Sequence, residues 1–144
     1  MRVKEWMSGS LTTTGPKTSV SEARELMRRK VIRHLLVTEG ERLVGIVTDR
    51  DIRLNLPSPA TSLSVWEINY LLTKLTVGDV MTKAVITVEP ERPIEEAARL
   101  MLERRIGALP VLSEGGLVGI LTETDLLRAF VYSQSAIVPE TARG

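Results

Sequence analysis

Residues 3–54 align with residues 77–128 without a gap, each residue n matching residue n + 74, as in Met7 with Met81 and Asp51 with Asp125. About a third of the aligned pairs are identical, among them Pro16/Pro90, Ala23/Ala97, Leu26/Leu100, Met27/Met101 and Ile32/Ile106. A repeat of this length outweighs any local propensity. Half of a 144-residue chain hides its apolar faces poorly by itself, so the two copies are expected to pack together with pseudo-twofold symmetry, leaving two equivalent inter-repeat clefts.

Each copy reads as the same β-α-β-β-α unit, an α/β fold class. Leu11–Thr14 and Val85–Val88 form the first short strands. Ser19 with Glu22 is a capping box, and Val20, Ala23, Leu26 and Met27 then share one face of a helix running to about Lys30. In the second copy Pro93 is placed in the first helical turn, where its missing N–H is tolerated. β-rich runs follow at His34–Thr38 and Arg42–Thr48, turning through Glu39-Gly40-Glu41, and at Ala108–Leu112 and Leu117–Thr122, turning through Ser113-Glu114-Gly115-Gly116. A second helix starts after each hairpin. The expected organisation is repeat 1 over residues 1–56, a helical linker over 57–76, repeat 2 over 77–133 and a fraying tail over 134–144. The linker opens with Leu56-Pro57-Ser58-Pro59. Ser64 and Glu67 then cap a helix whose Val65, Ile68, Leu71, Leu72 and Leu75 form an apolar stripe beside Trp66 and Tyr70.

Composition excludes several classes of function. Lys+Arg number 19 against 18 Asp+Glu, and a net charge of +1 gives no broad field for a nucleic-acid polymer or an anionic membrane. There is no cysteine, hence no disulfide, thiolate metal site or thiol nucleophile. No apolar run approaches the ~18 residues of a membrane-spanning helix, and MRVKEWMSGS lacks the apolar stretch of a signal peptide. A cytoplasmic protein is expected. With a single histidine and no clustered His/Asp/Glu pattern, no catalytic set and no metal site are found, so an enzyme is not expected.

The best-matched run is Leu43-Val44-Gly45-Ile46-Val47-Thr48-Asp49-Arg50-Asp51 over Leu117-Val118-Gly119-Ile120-Leu121-Thr122-Glu123-Thr124-Asp125. A tandem β-α-β-β-α unit ending in Gly-hydrophobic-x-Thr-x-x-Asp resembles the CBS-domain pair, or Bateman module. Ile32-Arg33-His34-Leu35-Leu36-Val37 resembles the family's strand opening, except that Leu36 stands where the second copy has Pro110; a changed backbone contact is expected there. The linker from Leu56 to Leu72 resembles that of bacterial acetoin-utilisation accessory proteins, which often carry a further C-terminal domain for which this chain has no room. The resemblance implies a regulatory, ligand-sensing module that binds AMP or ATP, with S-adenosylmethionine or NAD-type ligands in some relatives, and a disc-like homodimer acting on an unidentified regulated protein.

By resemblance, Asp51 and Asp125 accept the ribose hydroxyls. Thr48 and Thr122, with Arg33, His34 and Arg50, meet phosphate, and Leu11–Thr13 (with Thr12 between) and Val85–Thr87 (with Ile86 between) meet adenine. Both Thr-x-x-Asp runs are also capping boxes, a role that needs no ligand. The two roles are compatible, since a hydroxyl and helix N–H groups hold phosphate while a carboxylate accepts ribose hydroxyls. Arg33 and His34 at a helix-to-strand turn read either as phosphate donors or as solvated surface. Their counterparts Gly107 and Ala108 carry no charge, so the two sites are expected to differ. Gly45 and Gly119 read as strand positions that something approaches closely. Met27 and Met101 read as core. The competing reading is a ligand-free dimerisation or interaction scaffold.

Overall fold

A computed structural model describes residues 1–56 and 62–137, with side chains as far as Ser135. In chain order the elements are α1 (Val3–Trp6), β1 (Thr13–Thr14), α2 (Val20–Lys30), β2 (His34–Glu39), β3 (Arg42–Thr48), α3 (Asp49–Leu54), α4 (Val65–Lys74), α5 (Val77–Val80), α6 (Ile94–Arg104), β4 (Ala108–Ser113), β5 (Gly116–Thr122) and α7 (Glu123–Ile137). They form two compact units.

The first unit, Leu11–Val85, holds a three-stranded sheet ordered β1-β2-β3, in which β1 runs parallel to β2 and β2 antiparallel to β3. Ser19 and Glu22 begin α2 as expected, the Ser19 hydroxyl accepting from the Glu22 N–H at 3.1 Å. Val20, Ala23 and Met27 then pack into a core with Leu35, Val37, Val47 and Ile52. The second unit comprises Met1–Ser10 and the chain from Ile86 onward, with a hairpin of β4 and β5. Its core gathers Ile94, Ala97, Met101, Leu109, Val111 and Leu121, and Val3 from the N-terminus. Met27 and Met101 are both core, as read.

A short helix the sequence reading did not register opens the matching stretch in each unit, and the two are held by equivalent bonds. The Val77 N–H of α5 donates to the Thr18 carbonyl at 2.8 Å, and the Val3 N–H of α1 to the Arg92 carbonyl at 2.9 Å. The Val20 N–H meets the Leu75 carbonyl, and the Ile94 N–H the Met1 carbonyl. Beyond these helices Thr82 bridges Ile46, and Ser8 bridges Ile120. The sequence repeat and the compact unit are therefore out of phase: the ten residues that open repeat 1 complete the unit built from repeat 2.

This arrangement accounts for Gly45 and Gly119. A Cβ on Gly45 would lie 2.5 Å from Met81 Sδ and 3.0 Å from the Thr82 carbonyl; on Gly119 it would lie 2.6 Å from Met7 Sδ and 2.9 Å from the Ser8 carbonyl. The close approach inferred from sequence is made by the chain itself.

Several boundaries differ from expectation. The first strand of the second unit shrinks to a single bridge, Val88 with Val111, whereas Thr13 and Thr14 pair with Leu36 and Val37. Leu36 is matched in the second unit by Pro110, which has no N–H to give a neighbouring strand, and this is the changed backbone contact expected there. Leu11 and Thr12 lie outside the strand. Pro93 is the N-cap of α6 with ψ 145°, not a first-turn residue. The linker helix α4 keeps its Ser64/Glu67 capping box, but it turns Leu72 into the first unit's core with Ile68 and Leu75 beside it, leaving Val65, Trp66 and Tyr70 exposed. The expected tail is helical as far as Ile137; residues 138–144, like Pro57 to Thr61 with their Pro-Ser-Pro, lie outside the described residues.

Candidate functional site

The Thr-x-x-Asp runs fall at the same corner of each unit, where the second hairpin strand ends and a helix begins. In the first unit Thr48 caps α3: its Oγ1 accepts from the Asp51 N–H at 3.0 Å while Asp51 Oδ2 accepts from the Thr48 N–H at 2.9 Å. The Asp49 N–H is taken by the Arg33 carbonyl at 3.0 Å. Register places His34 opposite Thr48. One backbone corner thus brings together Arg33, His34, Thr48, Arg50 and Asp51; the Arg33 and Arg50 side chains are exposed and His34 is half-buried.

The second corner repeats the backbone plan. The Glu123 N–H donates to the Gly107 carbonyl at 3.1 Å, and Ala108 stands opposite Thr122. The capping role of both Thr-x-x-Asp runs is thereby real, and two of the first three N–H groups in each helix are already committed.

The carboxylates are not equivalent. Asp125 is 6 % exposed and is the one buried polar or charged side chain among the described residues, whereas Asp51 is half-buried. Asp125 Oδ2 accepts from the Thr122 N–H at 2.8 Å and from the Thr122 hydroxyl at 3.1 Å, and Oδ1 accepts from Arg128 Nη1 at 3.4 Å. No side-chain donor of this kind meets Asp51 among the described residues. Arg128 escaped the sequence reading, although its spacing of three from Asp125 on a helix is the ion-pair signal.

Of the residues matched to adenine, Leu11, Thr12 and Thr13 belong to the first unit, Val85 ends it, and Ile86 and Thr87 open the main part of the second. Thr13 is exposed on β1; the other five are half-buried. Thr87 also borders a surface cavity of about 390 Å³ along α6, walled by Glu89, Arg92, Glu96, Arg99 and Glu103. Arg92 is tied there to Glu89 at 3.3 Å and Glu96 at 3.8 Å. Among the described residues no helix is long and apolar enough to cross a membrane, and no group of three His, Cys, Asp or Glu is placed to hold a metal.

Two α/β units with the same corner and the same crossing segment define a tandem-repeat module. The chain belongs to the CBS domain family, whose model matches residues 3–58 and 77–132. It is 40 % identical over 126 residues to an inosine-5'-monophosphate dehydrogenase of Korarchaeum cryptofilum, covering 87 % of this chain but 23 % of that enzyme. It is 33 % identical over 141 residues to a CBS domain-containing protein of Dictyostelium discoideum, covering 96 % of this chain and 97 % of that one. Among solved structures it is similar to CBSX2 in complex with AMP, at TM-score 0.73 and 34 % identity, covering 92 % and 98 % of the two chains. It is similar to the CBS domain pair of MJ0100 in complex with 5'-methylthioadenosine and S-adenosyl-L-methionine, at TM-score 0.75 and 28 % identity over 92 % and 98 %. AcuB of Vibrio cholerae, named for acetoin utilization, gives TM-score 0.76 at 26 % identity over 96 % and 98 %.

Proposed function

We propose that the chain is a regulatory module that senses an adenosine nucleotide, AMP or ATP, and carries no catalytic activity of its own. The observation that supports this most directly is the pairing of a Thr-x-x-Asp corner in each unit with likeness to CBS pairs solved with AMP and with S-adenosyl-L-methionine. Asp51 and Asp125 accept ribose hydroxyls, Thr48 and Thr122 with Arg33, His34 and Arg50 meet phosphate, and Leu11–Thr13 and Val85–Thr87 meet adenine. A module of this kind fits both a stand-alone protein and a part of an enzyme, the two settings in which relatives carry it. Binding shifts the population between conformations that a partner protein distinguishes. The likeness to AcuB favours acetoin utilisation as the metabolic setting; the cytoplasm is part of the same proposal. The exposed apolar residues of α7 and α4 favour a homodimer.

Thermal unfolding with AMP, ADP, ATP and S-adenosylmethionine tests the reading. A ligand at ~100 times its dissociation constant adds ~2.7 kcal/mol of stability. No stabilisation and no calorimetric heat with any of the four would leave the ligand-free scaffold as the function.

A further inference from the structure

The two corners differ by a one-residue displacement of an arginine. In α3, which also carries Arg50, that arginine is Arg53, four residues after Asp49, and its Nε lies 3.1 Å from Asp49 Oδ2. In α7 the matching position is Leu127, and the arginine comes one residue later, at Arg128. One residue is 100° of helix. The displacement turns the guanidinium from the helix's first residue to the corner carboxylate, where Arg128 Nη1 stands 3.4 Å from Asp125 Oδ1. The residue of α3 that matches Arg128 is Leu54, 71 % exposed and without a group to offer Asp51.

We propose that Arg128 is a selectivity residue that holds the Asp125 corner partly closed, competing with a bound ribose for the carboxylate, whereas among the described residues no arginine is paired with Asp51 in this way. This rests on the nucleotide-sensing reading. A ribose that hydrogen-bonds a carboxylate needs its oxygen lone pairs. At Asp125 one oxygen already takes two Thr122 donors and the other takes Arg128, and the carboxylate side chain is only 8 % exposed. Arg128 itself is 67 % exposed, so it can swing into water and release Oδ1. The cover is therefore a weak ion pair that a ligand must displace, and it weakens with salt.

Adenosine, which is uncharged and contains the ribose without a phosphate, is the diagnostic probe. The experiment titrates it calorimetrically into the full chain carrying Asp51→Ala, so that the Asp125 corner is read alone, with Arg128 or with Arg128→Leu. Removing the arginine tightens adenosine about two- to fivefold, the range of an exposed ion pair. Arg128→Gln, which keeps most of the length without the charge, does the same. With Arg128 present, added salt tightens adenosine binding; with leucine or glutamine it does not. Unchanged or weaker binding in both variants overturns the proposal while AMP binding to the unaltered chain leaves the sensing reading standing. Absence of both AMP and adenosine binding to the unaltered chain removes the sensing reading, and this inference with it.

Discussion

Val31 and Arg105 end their helices in the same left-handed conformation, with φ of 53° and 55° and their N–H groups bonded back into the last turn. Neither is glycine, and Val31 is β-branched as well, the residue type least suited to positive φ. Its side chain is 89 % exposed, so no packing offsets the conformation.

Val31→Gly is therefore expected to stabilise the protein by about 0.5–1 kcal/mol, the relief of left-handed strain less the extra freedom glycine gives the unfolded chain. Denaturant midpoints measure this. A lower midpoint for the glycine variant would show that the turn carries no strain.

Gly45→Ala and Gly119→Ala act in the opposite direction. Each methyl meets a flexible methionine end and also a backbone carbonyl at 3.0 or 2.9 Å, which cannot move without loosening the crossing segment. A loss of about 1–3 kcal/mol is expected in each case, the usual cost of overpacking. If each alanine variant melts with the unaltered protein, the segment is not held against the strand as described.

Lys4 at 2.9 Å, together with Arg2, holds the Glu91 carboxyl below the usual carboxylate range through side-chain hydrogen bonds. A depressed folded-state value stabilises the fold above the carboxylate's unfolded value, and that contribution disappears as pH falls through the folded value. Glu91→Gln should therefore narrow the stability difference between neutral and acidic solution. NMR titration should also find Glu91 moving back toward the ordinary range in Lys4→Ala; an unmoved titration would deny the contact.

The two nucleotide sites are expected to differ in affinity for AMP. The resemblance to CBS pairs carries the expectation that Arg33 and His34 serve the ligand whose ribose Asp125 accepts. Charge-assisted contacts are worth roughly 1.5–3 kcal/mol before screening, about tenfold or more in affinity. Asp125→Ala or Arg33→Ala should then remove the tighter event and Asp51→Ala should spare it. Arg33 shares its own backbone corner with Asp51, so joint loss in Arg33→Ala and Asp51→Ala would mean that each corner supplies its own phosphate contacts.

Leu127, Phe130 and Val131 on α7, and Val65 and Trp66 on α4, are exposed to an extent that favours self-association. Light scattering is expected to report a dimer at micromolar concentration and Phe130→Glu to lower its mass. A monomer for the unaltered chain would eliminate the homodimer.

Helix α2 and both hairpins were legible because each has a local cause: the Ser19 cap, a 3.6-residue apolar period, and glycines at the turns. Gly45 and Gly119 were legible as close approaches but not as to what approaches, since Met81 and Met7 come from other parts of the chain. The linker stripe was visible, yet periodicity alone cannot say whether Ile68 and Leu72 face a core or a partner. The Asp51 and Asp125 corners follow from spacing. That they differ was legible in the mismatch of Arg33 and His34 with Gly107 and Ala108; the burial of Asp125 and its contact with Arg128 were not, because the spacing that pairs them crosses a position where the repeats fail to match.

The offset between repeat and compact unit also bears on the order in which the protein assembles during synthesis. The first unit, Leu11–Val85, has all its residues once residue 85 has emerged. Residues 1–10 are made before the first unit, yet the strand edge at Ile120 that Ser8 bridges is made more than a hundred residues later. They must wait until that edge has been made and then close a loop that contains the whole first unit, a slow, non-local step. Until it closes, the Val3 pocket of the second core stays open, and substitutions that weaken the crossing segment will act on folding yield before they act on binding.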